Sequence, residues 1–251
     1  MTTTIAVGSV KGTGGATATA LGLAGAIAED GTATVLVEAD PSGGSLLGWS
    51  EHLDAARPSL YDAVSQNDLA LAMQPLGQVR VVPVQGDPWR ITVALDRVRR
   101  WTPLLHDTGA TVVVDVGRLH PSSPALRIAA EVNVLVLVAP LEAGPLAATI
   151  EWARRGGQTS ATDTALDVAR IRLVTVDATV TRRARVDPNG LTRDDLGVAY
   201  AGHVPFDDGA LELLCRGTGL GHRRLSKSKL AYAHRQLVAS LANTIRSEVT
   251  P

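Results

Sequence analysis

The sequence GSVKGTGGAT at residues 8–17 decides the fold of this chain. It follows a short β-branched run at residues 3–7 and precedes an alanine- and leucine-rich segment at residues 17–29, which indicates a glycine-rich loop between a strand and a helix. Backbone N–H groups of such a loop, together with the helix dipole, bind anions and most often phosphate. The sequence therefore predicts a phosphate-binding loop, and the alternative is a tight turn that merely requires glycine.

Short apolar runs alternate with longer helical segments along the rest of the chain. Several runs are apolar at nearly every position, which is typical of strands in a parallel sheet covered on both faces. We therefore predict an α/β fold: one three-layer domain over residues 1–251, with a mostly parallel twisted sheet and helices on both faces. The predicted strands are residues 4–7, 34–38, 79–84, 111–116, 132–138 and 171–176, and the predicted helices are residues 17–29, 91–106, 143–155, 207–216 and 226–247.

Composition narrows the class of protein. The chain has 251 residues, of which 45% are hydrophobic and 20% are charged, so it can bury a large core. Its single cysteine, Cys215, cannot form an internal disulfide, an iron–sulfur cluster or a cysteine-rich zinc site, which favours a reducing compartment. We find neither a signal-peptide pattern nor an apolar run of the ~20 residues that a membrane span needs. We therefore expect a cytoplasmic protein without a transmembrane segment.

Residues 9–17 resemble the deviant Walker A motif of the ParA/MinD family of P-loop ATPases, S-x-K-G-G-x-G-K-[ST]. Two positions depart from that motif, because Thr13 stands where the family has glycine and Ala16 stands where it has the P-loop lysine. The matching positions are Ser9, Lys11, Gly12, Gly15 and Thr17.

Further landmarks of the family follow in the same order and extend the resemblance over nearly the whole chain. They are the segment EADP at residues 38–41, the strand VVVD at residues 112–115, VAP at residues 138–140 and GHVPFD at residues 202–207. The resemblance implies a P-loop NTPase fold and a site for ATP and Mg²⁺.

The resemblance also implies roles for single residues. Lys11 is the signature lysine that reaches the nucleotide of a dimer partner, and Asp40 positions the attacking water. Thr17 helps to hold Mg²⁺, and Asp115 anchors that ion through water. Asp177 stands where the family often has an asparagine that contacts the base. The loop residues that would bind the nucleotide are Gly12, Thr13, Gly14, Gly15, Ala16 and Thr17.

Each of these residues also has an ordinary structural alternative. Thr17 can cap a helix, Asp40 before Pro41 can form a turn, Asp115 can close a strand, and Lys11 can be a solvated charge.

Ala16 is the departure with the largest consequence. The P-loop lysine contacts the β- and γ-phosphates and offsets charge in the transition state. Loss of one charge-assisted hydrogen bond costs ~1.5–3 kcal/mol, which is roughly 10–100-fold in affinity. We therefore expect weakened binding of ATP and Mg²⁺ and no fast hydrolysis.

Residues 213–247 form a predicted basic C-terminal helical segment that contains no Asp or Glu. Basic surfaces of this kind attract polyanions, and in ParA-like proteins they hold nonspecific DNA. A solvated face or a protein-partner site is the alternative. Leu230, Leu237, Leu241 and Ile245 lie near one helix face, which favours packing on the core over a membrane anchor. The basic residues offered to DNA or an anionic surface are Arg216, Arg223, Arg224, Lys227, Lys229 and Arg235.

Three functional hypotheses follow. The first is a degenerate ParA/MinD-like protein, similar to TadZ/CpaE-like relatives. It would act as a scaffold or weak nucleotide-binding switch in chromosome partitioning, division-site placement or pilus and secretion machinery, with a protein partner, as a homodimer, or peripheral to nucleoid or membrane. The second is a slow but active ATPase of the same family. The third is a short-chain-dehydrogenase-like NAD(P) binder, because residues 8–14 also fit G-x-x-x-G-x-G, although no tyrosine has a lysine four residues later.

Overall fold

The computed structural model describes residues 2–12, 15–157, 165–177, 187, 190–191 and 196–249, with side chains described as far as residue 242. Within these residues the strands are β1 (Thr4–Ser9), β2 (Thr34–Glu38), β3 (Gln74–Leu76), β4 (Val79–Val82), β5 (Thr111–Arg118), β6 (Val134–Pro140), β7 (Ile171–Val176) and β8 (Ala199–Val204). They form one eight-stranded sheet in the order β3-β4-β2-β5-β1-β6-β7-β8.

Neighbouring strands run parallel, except that β3 is antiparallel to β4. The first strand lies between β5 and β6, and β5 separates it from β2. A Rossmann sheet places its first two strands side by side. The observed order excludes that arrangement, so the dehydrogenase alternative is wrong.

Helices cover both faces of the sheet, as predicted. Strand β1 divides its side chains between two cores, with Ala6 on one face and Ile5 and Val7 on the other. The first face packs against α3 to α7 and the second against α1, α8 and α9. The helices of the described chain are α1 (Ala16–Glu29), α2 (Leu46–Trp49), α3 (Leu60–Gln66), α4 (Pro88–Arg97), α5 (Trp101–His106), α6 (Leu126–Glu131), α7 (Ala143–Arg154), α8 (Asp208–Cys215) and α9 (Lys229–Val249), with 3₁₀ turns at Leu69–Ala72 and Val168–Arg170.

The structure differs from the predicted elements in two instructive places. The helix predicted over residues 91–106 is two helices, because α4 ends at Arg97 and α5 begins at Trp101. Pro103 explains the break: inside a continuous helix its ring would clash with a carbonyl one turn earlier, whereas it is tolerated in the first turn of α5. Strand β3 was not predicted, because it has only three residues and one of them is Pro75.

Candidate functional site

The carboxyl ends of β1, β2 and β5 meet at one edge of the sheet, and a cavity of about 420 Å³ opens there. Three segments line it: the loop after β1 with the first turn of α1, the loop after β2, and the end of β5. The parallel pairing of β1 with β5 and of β5 with β2 brings these segments together. Ligands of open α/β sheets bind at this kind of position.

The first turn of α1 faces this cavity without a competing side chain. Gly15 precedes the helix with a φ of 122°, and no side chain caps the helix. A Cβ on Gly15 would lie 3.3 Å from a methyl group of Val176, so glycine fits both the backbone conformation and the space. The first N–H groups of a helix have no partner within the helix and carry a partial positive charge. This end of α1 is therefore suited to an anion, as the loop sequence predicts; Thr13 and Gly14 lie outside the described residues.

Ala16 lies where a P-loop lysine would begin. It is buried, and its methyl group lines the cavity. The side chain supplies neither charge nor hydrogen bond to a ligand there. Lys11 also lines the cavity, but it is exposed at its edge.

Asp115 lies fully buried near the end of β5. One carboxyl oxygen accepts a hydrogen bond from the Gly117 N–H at 3.0 Å, and the other has no hydrogen-bond partner in the described chain. The pKa of Asp115 is raised to about 7: burial is the largest cause, the nearby Glu38 and Asp40 add to it, and the Thr17 side chain and the Gly117 N–H oppose the shift. A buried carboxylate oxygen without a partner is costly unless a ligand completes it. A hard cation such as Mg²⁺, bound directly or through water, fits Asp115 and Thr17.

Asp40 lies beside the same strand end. One of its carboxyl oxygens accepts a hydrogen bond from the Ser42 N–H at 2.8 Å, and burial raises its pKa. Its carboxyl group packs directly against the backbone of Gly117, which has a φ of 58° and leaves no room for a Cβ. Asp40 and Asp115 are therefore brought together, as the family resemblance implies.

Glu38 has a different role from the neighbouring aspartates. It is fully buried, and Oε1 accepts hydrogen bonds from the N–H groups of Ser45 at 2.5 Å and Leu46 at 3.0 Å. Its Oε2 accepts a third from the Val84 N–H at 3.1 Å. Glu38 thus ties the loop after β2 to the segment that follows β4, and burial raises its pKa although these three N–H groups oppose the shift.

A second, mostly apolar cavity of about 210 Å³ lies on the other side of the α1 N-terminus. Asp177 contributes to its wall, where it accepts a hydrogen bond from the Phe206 N–H at 3.1 Å and lies 3.5 Å from His203 Nε2. Trp49 and Phe206 border this cavity and are exposed over 42% and 59% of their surfaces, so aromatic faces are available to a planar ligand. The residue predicted to meet a base therefore lies beside an apolar pocket.

Sequence reasoning missed Arg118 and Trp49. Both line the main cavity. The signal for Arg118 was its position three residues after Asp115, but its relation to the loop depends on the pairing of β5 with β1.

A search of solved structures finds proteins with this fold at low sequence identity. MinD with Mg-ADP from Pyrococcus horikoshii matches with a TM-score of 0.73 and 19% identity over 100% of both chains. The cell division ATPase MinD from Pyrococcus furiosus gives 0.71 and 18%, covering 97% of this chain and 99% of that one. A ParA family ATPase from Chlorobium tepidum gives 0.67 and 14%, covering 95% and 99%.

The chain has the fold of the MinD and ParA ATPases. The predicted resemblance is confirmed at the level of the fold, including the single mostly parallel sheet flanked by helices. By sequence, no protein-family model and no curated protein matches the chain.

The basic residues near the C-terminus are not equivalent. Arg235 binds Glu29 through two hydrogen bonds of 2.8 Å and donates to the carbonyls of Ser226 and Leu220, so it fastens the start of α9 to α1. Arg216 is paired with Glu212 at 2.6 Å. Arg235 is therefore held within the fold, whereas Arg216 remains exposed in its pair with Glu212. Four others are exposed and form no ion pair with the residues that the structure describes: Arg223, Arg224, Lys227 and Lys229.

The last helix packs on the core, as predicted. Leu230, Leu237 and Leu241 are buried, and Ile245 lies beyond the described side chains. No helix within the described residues combines the length and apolar character needed to cross a bilayer. Over the same residues, no cluster of three or more His, Cys, Asp or Glu side chains is arranged around a metal position.

Proposed function

We propose that this protein is a degenerate ParA/MinD-like protein that binds a magnesium nucleotide weakly and acts as a scaffold or weak switch in intracellular positioning. The observation that carries the proposal is a phosphate cradle with Ala16 at the lysine position beside a buried Asp115 oxygen that lacks a partner. A cavity that served packing alone would give no reason to bury an incompletely hydrogen-bonded carboxylate two residues from Gly117 in its wall. Partition, division-site and pilus or secretion machinery are the processes proposed.

Each part of the site has a proposed task. The first-turn amides of α1 and the loop residues Gly12 to Thr17 would hold the phosphates. Thr17 and Asp115 would hold Mg²⁺, which offsets phosphate charge when bound. Asp40 would position water if any hydrolysis occurs, and Asp177 would face the base. Lys11 would reach a partner's nucleotide in a homodimer.

The missing lysine sets the expected strength of binding. Loss of one charge-assisted contact costs ~1.5–3 kcal/mol, or roughly 10–100-fold in affinity. Backbone amides, the helix dipole and a metal ion would remain, so binding is weakened without being abolished. The transition state loses the same charge at the γ-phosphate, and we therefore expect very slow hydrolysis.

The test is calorimetric titration of the purified protein with Mg-ATP, alongside the Ala16→Lys variant. We expect Ala16→Lys to bind roughly 10–100-fold more tightly than the wild type. Ala55→Lys, in an exposed loop, adds the same charge away from the cavity and should leave affinity unchanged. Wild-type hydrolysis at a rate equal to Ala16→Lys, or no gain from Ala16→Lys, would contradict the proposal.

We also propose that the four exposed basic residues contact nonspecific DNA. Arg223, Arg224, Lys227 and Lys229 lie within seven positions of one another and are all exposed. Contacts of this kind weaken steeply with salt, because each releases counterions from the phosphate backbone. A Lys227→Glu/Lys229→Glu variant should lose salt-sensitive DNA binding, whereas Arg216→Glu, which removes a residue already paired with Glu212, should lose less.

A further inference from the structure

Arg118 is the last residue of β5, and the sheet brings it to the loop after β1. It is paired in register with Ser9, and the Leu119 N–H donates to the Ser9 carbonyl at 2.8 Å. Its side chain runs along the loop at Gly12, where an added Cβ would lie 2.9 Å from Arg118 Cδ and 3.5 Å from Arg118 Nε. The arginine and the first turn of α1 therefore line the same cavity.

The guanidinium of Arg118 makes no ion pair and no hydrogen bond to any part of the chain that the structure describes, unlike those of Arg216 and Arg235. The carboxyl groups nearby do not hold it. Glu38 is satisfied by backbone N–H groups, and Asp40 accepts from Ser42. A positively charged group with five N–H donors thus remains available on the cavity wall.

We infer that Arg118 binds the β- and γ-phosphates of the nucleotide and makes up part of the positive charge lost with the lysine at Ala16, so that binding remains weaker than with a complete P-loop. This inference rests on the proposed nucleotide site and names a residue that would bind the phosphates there. A guanidinium binds phosphate oxygens through two parallel hydrogen bonds, and its planar donors suit a phosphate chain better than a single ammonium does. The positive charge of Arg118 comes from the end of β5 and not from the loop itself. The backbone of this residue is therefore fixed by the sheet.

Two other sources of positive charge are less suited to this role than Arg118. Lys11 is exposed at the edge of the cavity and is assigned by resemblance to a partner's nucleotide. Mg²⁺ bound near Asp115 would neutralise phosphate charge but would donate no hydrogen bond from protein. Among the residues that the structure describes, Arg118 combines a positive charge, a position against the loop and a guanidinium without an ion pair or hydrogen bond.

The experiment is a set of calorimetric titrations with Mg-ATP and with AMP. The variants are Arg118→Ala, Arg118→Lys, Lys11→Ala and, as the matched control, Arg80→Ala, an exposed arginine of β4. We expect Arg118→Ala to weaken Mg-ATP binding about 10-fold or more. Arg118→Lys should lose less Mg-ATP affinity, because lysine keeps the positive charge but lacks the paired N–H donors of the guanidinium. The affinity for AMP should change little in either variant. Arg80→Ala should behave as wild type.

Four outcomes would overturn the inference: unchanged Mg-ATP affinity in Arg118→Ala, equal losses for ATP and AMP, a loss confined to Lys11→Ala, or no Mg-ATP binding by the wild type. A urea unfolding curve for Arg118→Ala that matches wild type separates a lost contact from a damaged fold. If the wild type fails to bind while Ala16→Lys binds, the role of Arg118 and weak binding by the wild type both fall, whereas a cradle that has lost its lysine stands. If the wild type hydrolyses ATP quickly and Arg118→Ala does not, the role of Arg118 stands and the scaffold proposal falls.

A double-mutant cycle provides a sharper measure of substitution for the lysine. If Arg118 binds the phosphates that a P-loop lysine would bind, Arg118→Ala should reduce Mg-ATP affinity less in an Ala16→Lys background than in the wild type. Equal losses of affinity in both backgrounds would show that the two positions act independently, and would contradict the inference that Arg118 compensates for the lysine.

Discussion

Glu38 and Asp115 are paired in register on the neighbouring strands β2 and β5, and both are fully buried. They differ in how completely their carboxylate oxygens are hydrogen-bonded. Glu38 accepts three backbone N–H groups and uses both of its oxygens. Asp115 accepts one N–H from Gly117 and leaves its second oxygen without a partner among the described residues.

We propose that the difference separates a carboxyl group that builds the fold from one whose hydrogen bonding a ligand would complete. Burial raises the pKa of both residues, so burial alone does not distinguish them. Loss of the Glu38 carboxylate would leave three N–H groups without an acceptor and destabilise the folded chain. Loss of the Asp115 charge, which is buried with incomplete hydrogen bonding, would stabilise it. The two residues should therefore respond to substitution with opposite signs.

Glu38→Ala should have the largest effect. It leaves the buried N–H groups of Leu46 and Val84 and the partly buried N–H of Ser45 without an acceptor, at ~1–3 kcal/mol for each buried group, so we expect the free energy of unfolding to fall by about 3–6 kcal/mol. Urea unfolding followed by circular dichroism measures this loss. Glu51→Ala, an exposed turn residue, is the control and should change stability little. A loss below about 1 kcal/mol for Glu38→Ala would remove the contrast with Asp115.

Asp115→Asn should stabilise the protein in the absence of metal. The folded pKa of Asp115 is about 7, above its value of 3.8 in the unfolded chain, so its protonated form is favoured by folding. That stability is fully present below pH 3.8 and is lost as the pH rises through about 7. At pH 8 the asparagine avoids the buried charge, and we expect a gain of about 2–4 kcal/mol.

The measurement for Asp115→Asn is urea unfolding at pH 8 with a chelator present. Asp30→Asn, at the exposed end of α1, is the control. The same Asp115→Asn variant should lose the effect of Mg²⁺ on nucleotide affinity, because it removes the proposed anchor of the ion. Destabilisation at pH 8 would mean that Asp115, like Glu38, belongs to the fold.

Much of the fold was predictable because the signals are local. Apolar runs at β1, β2, β5 and β7 predicted buried parallel strands, and the glycine-rich loop predicted the turn into α1. The break at Pro103 was missed because the apolar pattern continues across it. Strand β3 was missed because three residues are too few for a pattern.

The site residues that a local sequence motif marks were predictable. Those whose position depends on which strands or helices are neighbours were not. Asp40, Asp115 and Thr17 were found through the order of motifs. Arg118 reaches Gly12 only because β5 lies beside β1, and no local spacing records that neighbour relation. Arg235 was misassigned for the same reason, since its partner Glu29 is 206 positions away in the sequence.

His234 provides a buried group outside the site, which tests burial without ligand chemistry. It is fully buried, donates from Nδ1 to the Leu230 carbonyl, and packs against Gly22 of α1. Burial lowers its pKa from 6.5 to about 4. The neutral form is favoured by folding, so its contribution is fully present above pH 6.5 and is lost as the pH falls towards 4.

We expect His234 to account for about 2 kcal/mol of stability lost between pH 7.5 and pH 5. The measurement is the difference in unfolding free energy between those two pH values for wild type and for His234→Leu, which cannot titrate. His52→Leu, at an exposed position, is the control and should keep the wild-type pH dependence. If His234→Leu keeps that pH dependence too, burial is not what sets the charge of these groups, and the comparison of Glu38 with Asp115 loses its baseline.

Asp40→Asn should have the smallest effect on stability and the most specific effect on Asp115. An asparagine oxygen can still accept from the Ser42 N–H, and Asp40 is only partly buried, so we expect a change below about 1 kcal/mol. Its charge is one cause of the raised pKa of Asp115, so its removal should lower that pKa. NMR titration of the Asp115 carboxyl carbon in Asp40→Asn and wild type measures the shift. An unchanged pKa would mean that burial and Glu38 govern the charge of Asp115 without Asp40, and that the two aspartates do not act as one charged pair.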